Sequence, residues 1–518
     1  MAAELRAEEN RNAAKRHIAC VTLPDKRTVT TSAGICEAFR LYFQDLFTRE
    51  PGLSSAQFDA YLADFPCLEA AEAARCEGPI TESEIWDALK QVGLDKSPGL
   101  DGLPYEVYLR LSPVFVPLLQ LIYNHWMRQG LYLDASPGLV LSRLIGPEQT
   151  CAVKGRTIQD NLHMVRLILE QVDSEAALIN LDQSKAFDRV DHRFLEAVLS
   201  AAGFGADFRS WIRLLYATPG ALVEVNGVRS EPFVLSRSIR QGCPLSPLLY
   251  VLALEPFLRK LKANPVLRGI TLPGATTSAR YSAYADDVSA LVSSRAEIDE
   301  VSKEISGYEM VTGARINRDK SVGLRLGAWK EFLFPDLSSG RMGRSRYSAR
   351  LSLKGRAEVC VSHIYPILLY RLSVLPLPYA RLMQLVRTLF SFLWRGKAPM
   401  VSRDVCCLHP SEGGLGMPSI EIRQYMLRIT FLDRMCRGSN EEGAFWKEDV
   451  QKHFPSLKSV HSCEQEAGRL PRAECSFYRE CRRALKLLLR VSDGLSNAQA
   501  LSRKALYQVL VRGPFKMI

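Results

Sequence analysis

Two short apolar segments, one followed by an aspartate and the other interrupted by two aspartates, constrain the fold of this chain more than any other feature. The first, AALINL at residues 176–181, precedes Asp182. The second, at residues 279–292, contains YADD, which ends in Asp286 and Asp287. Apolar runs of this length predict buried β-strands. A carboxylate at the end of a buried strand is costly unless it is paired or binds a cation, so each motif needs a compensating partner.

A divalent metal ion would provide that compensation. Mg²⁺ is bound by one or two carboxylates together with substrate phosphates, and it removes the repulsion between adjacent aspartates. If Asp182 and Asp286 converge from neighbouring strands, they form a two-metal site for in-line phosphoryl transfer. One ion would activate a 3′-hydroxyl and the other would stabilise the leaving pyrophosphate. Taken alone, an Asp-Asp pair more often lies in a solvated turn, so YADD needs support from other motifs.

Two further features lie between these motifs. The segment RQGCPLSP, at residues 240–247, contains Gly242, which lets the backbone approach a ligand closely, and two prolines that stiffen the loop. Phe187 follows Asp182 by five residues. Each feature also has an ordinary interpretation, the first as a helix-entry loop and the second as a core aromatic residue.

The pattern of the remaining chain predicts a mixed α+β core followed by helices. Asp191 is expected to cap a helix that stops at Gly203, and Asn226-Gly227 is expected to form a hairpin turn. The strands around YADD should join at Asp286-Asp287, with a helix from about Ala296 to Thr312. After Arg344 the whole pattern is helical.

Basic residues are concentrated in one block. The chain has a net charge of +11, and Arg315–Arg403 contains 17 Lys or Arg against 4 Asp or Glu. The remaining 50 basic and 52 acidic residues nearly cancel. A charge run by itself is typical of a solvated face, but this concentration next to the carboxylate motifs favours contact with a phosphate backbone.

Other global features exclude several classes of protein. The N-terminal residues lack the apolar core of a secretory signal, and no apolar stretch reaches the roughly 20 residues of a membrane span. The 13 cysteines include no CxxC pair, which indicates reduced thiols in a nuclear or cytoplasmic protein that is not secreted. Two clusters lack zinc-site spacing and are interpreted as ordinary residues: Cys406, Cys407 and His409, and His461, Cys463, Cys475 and Cys481.

The motifs, in this order, resemble the reverse transcriptases of non-LTR (LINE-type) retrotransposons. Between about residues 80 and 435 the similarity includes SPGLDGLPYEVY, IGPEQTCAVKGRTIQDN, GYEMVTGARINRDKS, FLWRGK and HPSEGGLGMP. The resemblance implies an α+β right-hand polymerase with fingers, palm and thumb and a helical C-terminal extension. It also implies an RNA-directed DNA polymerase that uses two Mg²⁺ ions, an RNA template, a DNA primer and dNTP, without a membrane partner.

The resemblance also implies domain boundaries. We expect five regions in chain order: an N-terminal helical extension at 1–80, shortened fingers at 81–175, a palm with the catalytic carboxylates at 176–326, a basic helical thumb at 327–405 and a helical C-terminal region at 406–518.

The catalytic roles implied by the resemblance fall on a few residues. Asp182, Asp286 and Asp287 match the catalytic carboxylates that bind metal, with Asp287 the more supportive of the three. Lys320, in GARINRDKS, matches the lysine thought to protonate the leaving pyrophosphate. Phe187 matches the aromatic residue that packs under the incoming sugar and excludes a 2′-hydroxyl. Outside its motif, Lys320 would be an ordinary surface charge.

Other matching residues would contact substrate or template. Gln241 and Gly242 match the loop that lines the nascent base pair. Arg156 and Asn161, in KGRTIQDN, match a fingers element near the template, and Arg156 could also contact the triphosphate. Alternatively, Arg156 and Asn161 simply begin a helix.

The chain also departs from the family pattern. No endonuclease segment is recognisable before the polymerase, so we expect no DNA cleavage. Only three basic residues lie between Leu103 and Gln149, which is few for triphosphate binding, and the primer-grip hairpin after GARINRDKS and the zinc-knuckle region are not recognisable. A truncated or degenerate element is therefore expected. Two alternatives stay open: a catalytically inert nucleic-acid-binding remnant, and a fragment that does not fold stably.

Overall fold

A computed structural model of the chain combines helices with short strands in an α+β fold. It describes residues 17–50, 54–91, 105–129, 141–217, 220–240, 243, 245–272, 277–328, 352–437, 445–455, 457 and 475–492.

The helices are numbered in chain order. Those up to residue 312 are α1 (Ser32–Phe47), α2 (Ser55–Tyr61), α3 (Ala70–Ala73), α4 (Glu82–Gln91), α5 (Tyr105–Arg110), α6 (Ser112–Gln129), α7 (Leu141–Leu144), α8 (Ile158–Gln171), α9 (His192–Ala201), α10 (Ala206–Leu215), α11 (Ser246–Ala263) and α12 (Arg295–Thr312). Those that follow are α13 (Leu353–Val359), α14 (Tyr365–Leu372), α15 (Tyr379–Trp394), α16 (Arg403–Cys407), α17 (Ile420–Arg437), α18 (Phe445–His453) and α19 (Ser476–Ser492).

The strands are short, and all of the described ones precede residue 328. They are β1 (Val21–Thr22), β2 (Thr28–Val29), β3 (Glu175–Leu181), β4 (Gly220–Ala221), β5 (Glu224–Val225), β6 (Val228–Arg229), β7 (Phe233–Val234), β8 (Ile270–Thr271), β9 (Ser278–Ala279), β10 (Tyr281–Tyr284), β11 (Asp287–Val292) and β12 (Val322–Gly327). The described elements after residue 351 are all helical, as the sequence predicts.

A four-stranded sheet in the order β10-β11-β3-β12 organises the region of the carboxylate motifs. β11 is antiparallel to both of its neighbours, and Leu181 of β3 lies opposite Val288 of β11. Helix α11 packs against β10, and α12 packs against β11. Because α11 is apolar on nearly every face, most of its residues are buried, including Tyr250, Leu254 and Phe257.

Local sequence signals account for the ends of several elements. The Asp191 carboxylate accepts hydrogen bonds from the backbone N–H groups of Arg193 (2.7 Å) and Phe194 (3.3 Å), so it caps α9 as predicted. Asn226 and Gly227 adopt φ angles of 51° and 80° between β5 and β6, which is the geometry a two-residue hairpin requires. Both sequence predictions are confirmed.

The chain forms two compact units. One contains Met1–Arg156, Ala177–Gly269 and Arg280–Leu324, and the other contains Thr157–Ala176, Ile270–Ala279 and Arg325–Ile518. The four-stranded sheet lies mainly in the first unit, whereas α8 belongs to the second together with α13–α19. The five domain boundaries expected from the sequence stay predictions.

Within the described residues, no helix combines the length and the apolar character needed to cross a membrane.

A buried arginine holds the helices of the second unit together. The guanidinium of Arg428 is fully buried and donates to Glu480 Oε2 from both Nε (2.9 Å) and Nη2 (2.8 Å). It also donates to the carbonyl oxygens of Leu372 (2.7 Å) and Leu375 (2.9 Å), at the end of α14. One side chain thereby joins α14, α17 and α19.

Replacement of Arg428 should strongly destabilise the second unit. Arg428→Met leaves the Glu480 carboxylate and the α14 carbonyl groups without their donor, and breaking a buried ion pair in this way costs about 3–5 kcal/mol of unfolding free energy. Arg387→Met, at an exposed arginine of α15, is the control and should change it by less than about 0.5 kcal/mol. Urea denaturation compares the variants, and equal midpoints for the two would contradict the prediction.

Candidate active site

The YADD motif forms a tight hairpin at one end of the sheet. Tyr284 of β10 pairs with Asp287 of β11, so the turn consists of Ala285 and Asp286. The sequence-based prediction of a junction at Asp286-Asp287 is therefore wrong by one residue, because Asp287 is already part of the strand pairing. Asp286 is half-buried, and Asp287 is exposed. Ala285 has a φ angle of 53°, a left-handed conformation that non-glycine residues rarely adopt.

Asp182 lies at the same end of the sheet. β3 ends at Leu181, opposite Val288, and Asp182 follows directly. The Asp182 carbonyl accepts a hydrogen bond from the Asn317 N–H (2.7 Å), and the Asp182 N–H donates to Ser321 Oγ (3.2 Å). The segment GARINRDKS therefore holds the backbone of Asp182 in place.

The three aspartates share one electrostatic environment. Burial raises the pKa of Asp286, a backbone hydrogen bond partly opposes this rise, and the charges of Asp287 and Asp182 raise the pKa further. The negative charges of Asp182 and Asp287 are therefore close enough to act on Asp286. Neighbouring carboxylates of this kind suit a divalent cation that is also bound by substrate phosphates.

The donor set around these carboxylates is incomplete from the protein alone. Among the residues that the structure describes, no group of three or more His, Cys, Asp or Glu side chains is arranged to hold a metal ion. Asp182 and Asp286 nevertheless fit Mg²⁺, since this ion commonly takes only one or two protein carboxylates and fills its other positions with water and phosphate. The predicted third ligand, Asp287, is the most exposed of the three.

Phe187 rests on a buried tyrosine. Its ring stacks on Tyr250 of α11, with 4.4 Å between ring centroids and 17° between planes. The Tyr250 hydroxyl donates to Gln183 Oε1 (3.1 Å), next to Asp182. Burial raises the pKa of Tyr250 well above its usual value, and the charges of Tyr308 and Asp286 add to the rise. Phe187 and Gln183, the residue after Asp182, thus contact the same buried tyrosine.

The other predicted site residues have different surroundings. Lys320 is exposed, in the segment that holds Asp182. The Arg156 guanidinium donates from Nη1 to the carbonyl oxygens of Gly146 (2.6 Å) and Gln149 (3.0 Å), so it binds the backbone of its own motif. Asn161 is buried in α8. Gln241 and Gly242 lie outside the described residues.

One residue at this site was not predicted from the sequence. Gln149, in IGPEQT, is fully buried, and its side chain contacts the backbone of Ala285 in the YADD turn. Its motif was noted only as part of the family resemblance. No short-range pattern in the sequence could have identified it, because its neighbours Glu148 and Thr150 are polar as well.

Residues 137–340 match the family of reverse transcriptases (RNA-dependent DNA polymerases). The chain is 30% identical over 508 residues to the transposon TX1 uncharacterized 149 kDa protein of Xenopus laevis, a match that covers 83% of this chain and 38% of that protein. It is 31% identical over 171 residues to the Pol polyprotein of the Drosophila melanogaster type-2 retrotransposable element R2DM, covering 32% of this chain and 16% of that protein. The chain carries a non-LTR retrotransposon reverse transcriptase domain.

The chain is also similar to a solved structure of apo telomerase from Candida tropicalis. That match has a TM-score of 0.25 and 15% identity, and it covers 43% of this chain and 42% of the telomerase chain. At this TM-score the α+β description rests on the strands and helices of the chain itself.

The chain spans 38% of the length of the TX1 protein and 16% of the R2DM polyprotein. The segments in which shortened fingers and a missing primer grip are predicted include residues 130–140 and 329–351, which lie outside the described residues.

The raised pKa of Asp286 predicts a pH-dependent effect on stability. A raised pKa means that folding disfavours the ionised form, so Asp286 destabilises the fold at high pH and ceases to do so as pH falls through its pKa. Asp286→Asn should therefore raise the melting temperature at pH 8 in the presence of EDTA. The gain should disappear near pH 4, where the carboxyl of the unfolded chain also becomes protonated, at about 3.9. Asp64→Asn, at an exposed turn residue, is the control. A pH-independent gain would contradict the prediction.

Proposed function

We propose that this chain catalyses RNA-directed DNA synthesis, in which a nucleotidyl group passes from dNTP to the 3′-hydroxyl of a DNA primer on an RNA template. The observation that carries the proposal is the convergence of Asp182 and Asp286 at one end of a sheet within a reverse transcriptase domain. The family match does not favour the alternative of a catalytically inert remnant.

In this proposal Asp182 and Asp286 hold the metal ions, and Asp287 adds negative charge beside them. Two bound Mg²⁺ ions would supply activation of the primer hydroxyl and stabilisation of the leaving pyrophosphate. The half-burial of Asp286 favours this role. Burial disfavours the charged form of the carboxylate, and a bound cation stabilises that form. The Asp182 carbonyl accepts from the Asn317 N–H and the Asp182 N–H donates to the Ser321 hydroxyl, so the backbone that carries this carboxylate is held in place.

The substrate contacts are assigned by the same reasoning. Phe187, supported by Tyr250, would pack under the sugar of the incoming dNTP and exclude a 2′-hydroxyl. Lys320 would protonate the pyrophosphate from the exposed end of its segment, and Gln241 with Gly242 would line the nascent base pair. The hydrogen bonds of Arg156 to main-chain carbonyls favour a role in holding residues 146–149 over direct contact with the triphosphate.

We assign the four-stranded sheet and its helices to the palm of a right-hand polymerase, and the basic helices of the second unit to the thumb. Between residues 352 and 403, seven cationic side chains are exposed, whereas only one carboxylate, Glu358, is exposed. The cations are Lys354, Arg371, Arg381, Arg387, Arg395, Lys397 and Arg403. This excess suits sequence-independent contact with the phosphates of a template–primer duplex, which weakens with added salt.

Primer extension tests the proposed activity. The purified chain, given an RNA template, a DNA primer, dNTP and Mg²⁺, should extend the primer. Asp286→Asn should reduce the rate at least about 100-fold, because it removes a charge on which metal binding depends. Asp64→Asn, which makes the same change of charge at an exposed position, should extend the primer at the rate of the unmodified chain. Extension by Asp286→Asn at the unmodified rate would refute the site assignment.

Sugar selection tests the role of Phe187. Phe187→Ala removes the ring that would meet a 2′-hydroxyl, so the ratio of rNTP to dNTP incorporation should rise by about tenfold or more. Phe187→Tyr keeps the ring on Tyr250 and should keep the ratio within about a factor of two of the unmodified chain. Single-nucleotide incorporation assays with each nucleotide measure kcat/KM. An unchanged ratio in Phe187→Ala would contradict this role.

A further inference from the structure

A short segment of the chain pairs with the outer edge of the YADD hairpin. The Ala283 N–H of β10 donates to the Glu148 carbonyl (3.0 Å), and the Thr150 N–H donates to the Ala283 carbonyl (3.1 Å). Gln149 and Ala283 thereby form a parallel bridge. β10 would otherwise be an edge strand of the sheet, so residues 148–150 confine the hairpin from the side opposite β11.

From this segment the Gln149 side chain reaches past β10 to the turn itself. Its Oε1 accepts hydrogen bonds from the N–H groups of Ala285 (3.0 Å) and Cys151 (3.0 Å). Its Nε2 donates to the Ala285 carbonyl (3.3 Å). One buried amide therefore binds both backbone polar groups of a single turn residue, in the manner of a paired strand residue.

The residue that Gln149 holds has an unfavourable backbone conformation. Ala285 lies in the left-handed region, with φ at 53°, which its β-carbon disfavours. A conformation of this kind persists only when the surroundings enforce it. Asp286 is the next residue, so the direction of its carboxylate depends directly on the conformation of Ala285.

The segment that carries Gln149 is itself anchored to helix α11. The Gly146 N–H donates to Glu255 Oε1 (2.9 Å), and Lys262 Nζ pairs with Glu148 Oε1 (2.6 Å). Arg156 Nη1 donates to the Gln149 carbonyl (3.0 Å). Because the backbone of Gln149 is held on both sides, its amide can impose a conformation on Ala285.

We propose that Gln149 is a positioning residue, which fixes the turn at Ala285 so that the Asp286 carboxylate faces Asp182. The proposal deepens the proposed function, since the geometry that Gln149 enforces is the one on which metal binding by Asp286 depends. Gln149 has no contact with the reacting groups in this account and acts only through the backbone of Ala285.

The test compares two substitutions at adjacent buried residues in the full chain. Gln149→Met preserves length and approximate volume but removes the three hydrogen bonds of the amide. Thr150→Val is the matched control, because the Thr150 hydroxyl is buried without a hydrogen-bond partner and its replacement removes none. Both variants are compared with the unmodified chain for melting temperature.

Three further measurements report on the conformation of the YADD turn and on metal binding. Hydrogen–deuterium exchange of peptides that contain residues 281–290 should be faster in Gln149→Met and unchanged in Thr150→Val. The dissociation constant for Mn²⁺ alone, measured by electron paramagnetic resonance, should rise about fivefold or more in Gln149→Met, as expected for the loss of a net hydrogen bond or two. The Mg²⁺ concentration for half-maximal primer extension should rise by a similar factor, while KM for the template–primer stays unchanged.

A solely structural role for Gln149 predicts a different result. In that case Gln149→Met would lower the melting temperature and leave hairpin exchange and Mn²⁺ affinity unchanged, and this outcome overturns the proposal. If Gln149→Met does not melt cooperatively, Gln149→Asn replaces it, since its amide is one methylene too short to reach both groups of Ala285, and the same increases are expected.

The exchange measurement separates this proposal from the proposed function. If the unmodified chain extends no primer, the polymerase proposal fails, and exchange at residues 281–290 still decides whether Gln149 holds the turn. If the unmodified chain extends primer but Gln149→Met leaves both exchange and the Mg²⁺ requirement unchanged, the polymerase proposal stands and the positioning role is rejected.

Discussion

The antiparallel pairing of β3 with β11 is the constraint on which the candidate active site depends. Leu181 lies opposite Val288, so Asp182 leaves the sheet at the end where the hairpin turn presents Asp286. A shift of one residue in this register would turn one of the two strands over and direct its apolar side chains to the wrong face. Burial of these apolar side chains, such as those of β11 against α12, therefore fixes the register, and the register places Asp182 and the YADD turn at the same end of the sheet.

Concentrating negative charge at one point opposes folding, and the structure offsets this with uncharged hydrogen bonds to the backbone. Asn317 and Ser321 bind the backbone of Asp182, and Gln149 binds the backbone of Ala285 beside Asp286. A nearby arginine would neutralise the carboxylates and compete with a cation. Neutral amides and hydroxyls hold the geometry and leave the charge available, which suits the binding of metal ions and phosphates that we propose.

Much of this arrangement could be predicted from local sequence. The apolar run before Asp182 forms β3, Asp191 caps α9, and Asn226-Gly227 forms a hairpin turn, because each of these signals acts over a few residues. The YADD turn was misplaced by one residue, since strand pairing at Asp287 decides where it ends. The hydrogen-bond partners of Arg156 could not be predicted, because the nearby carbonyl groups that it binds have no signature in the sequence.

The sequence by itself determined the family, the α+β class and the candidate carboxylates, since these depend on short motifs, on their order and on local hydrophobic patterns. Only the tertiary structure showed that Gln149, 136 residues before Ala285, binds the backbone of the YADD turn. It also showed that Phe187 rests on Tyr250. Contacts between residues far apart in the chain depend on how buried strands and helices pack, and a hydrogen bond formed by such packing leaves no periodic pattern in the sequence.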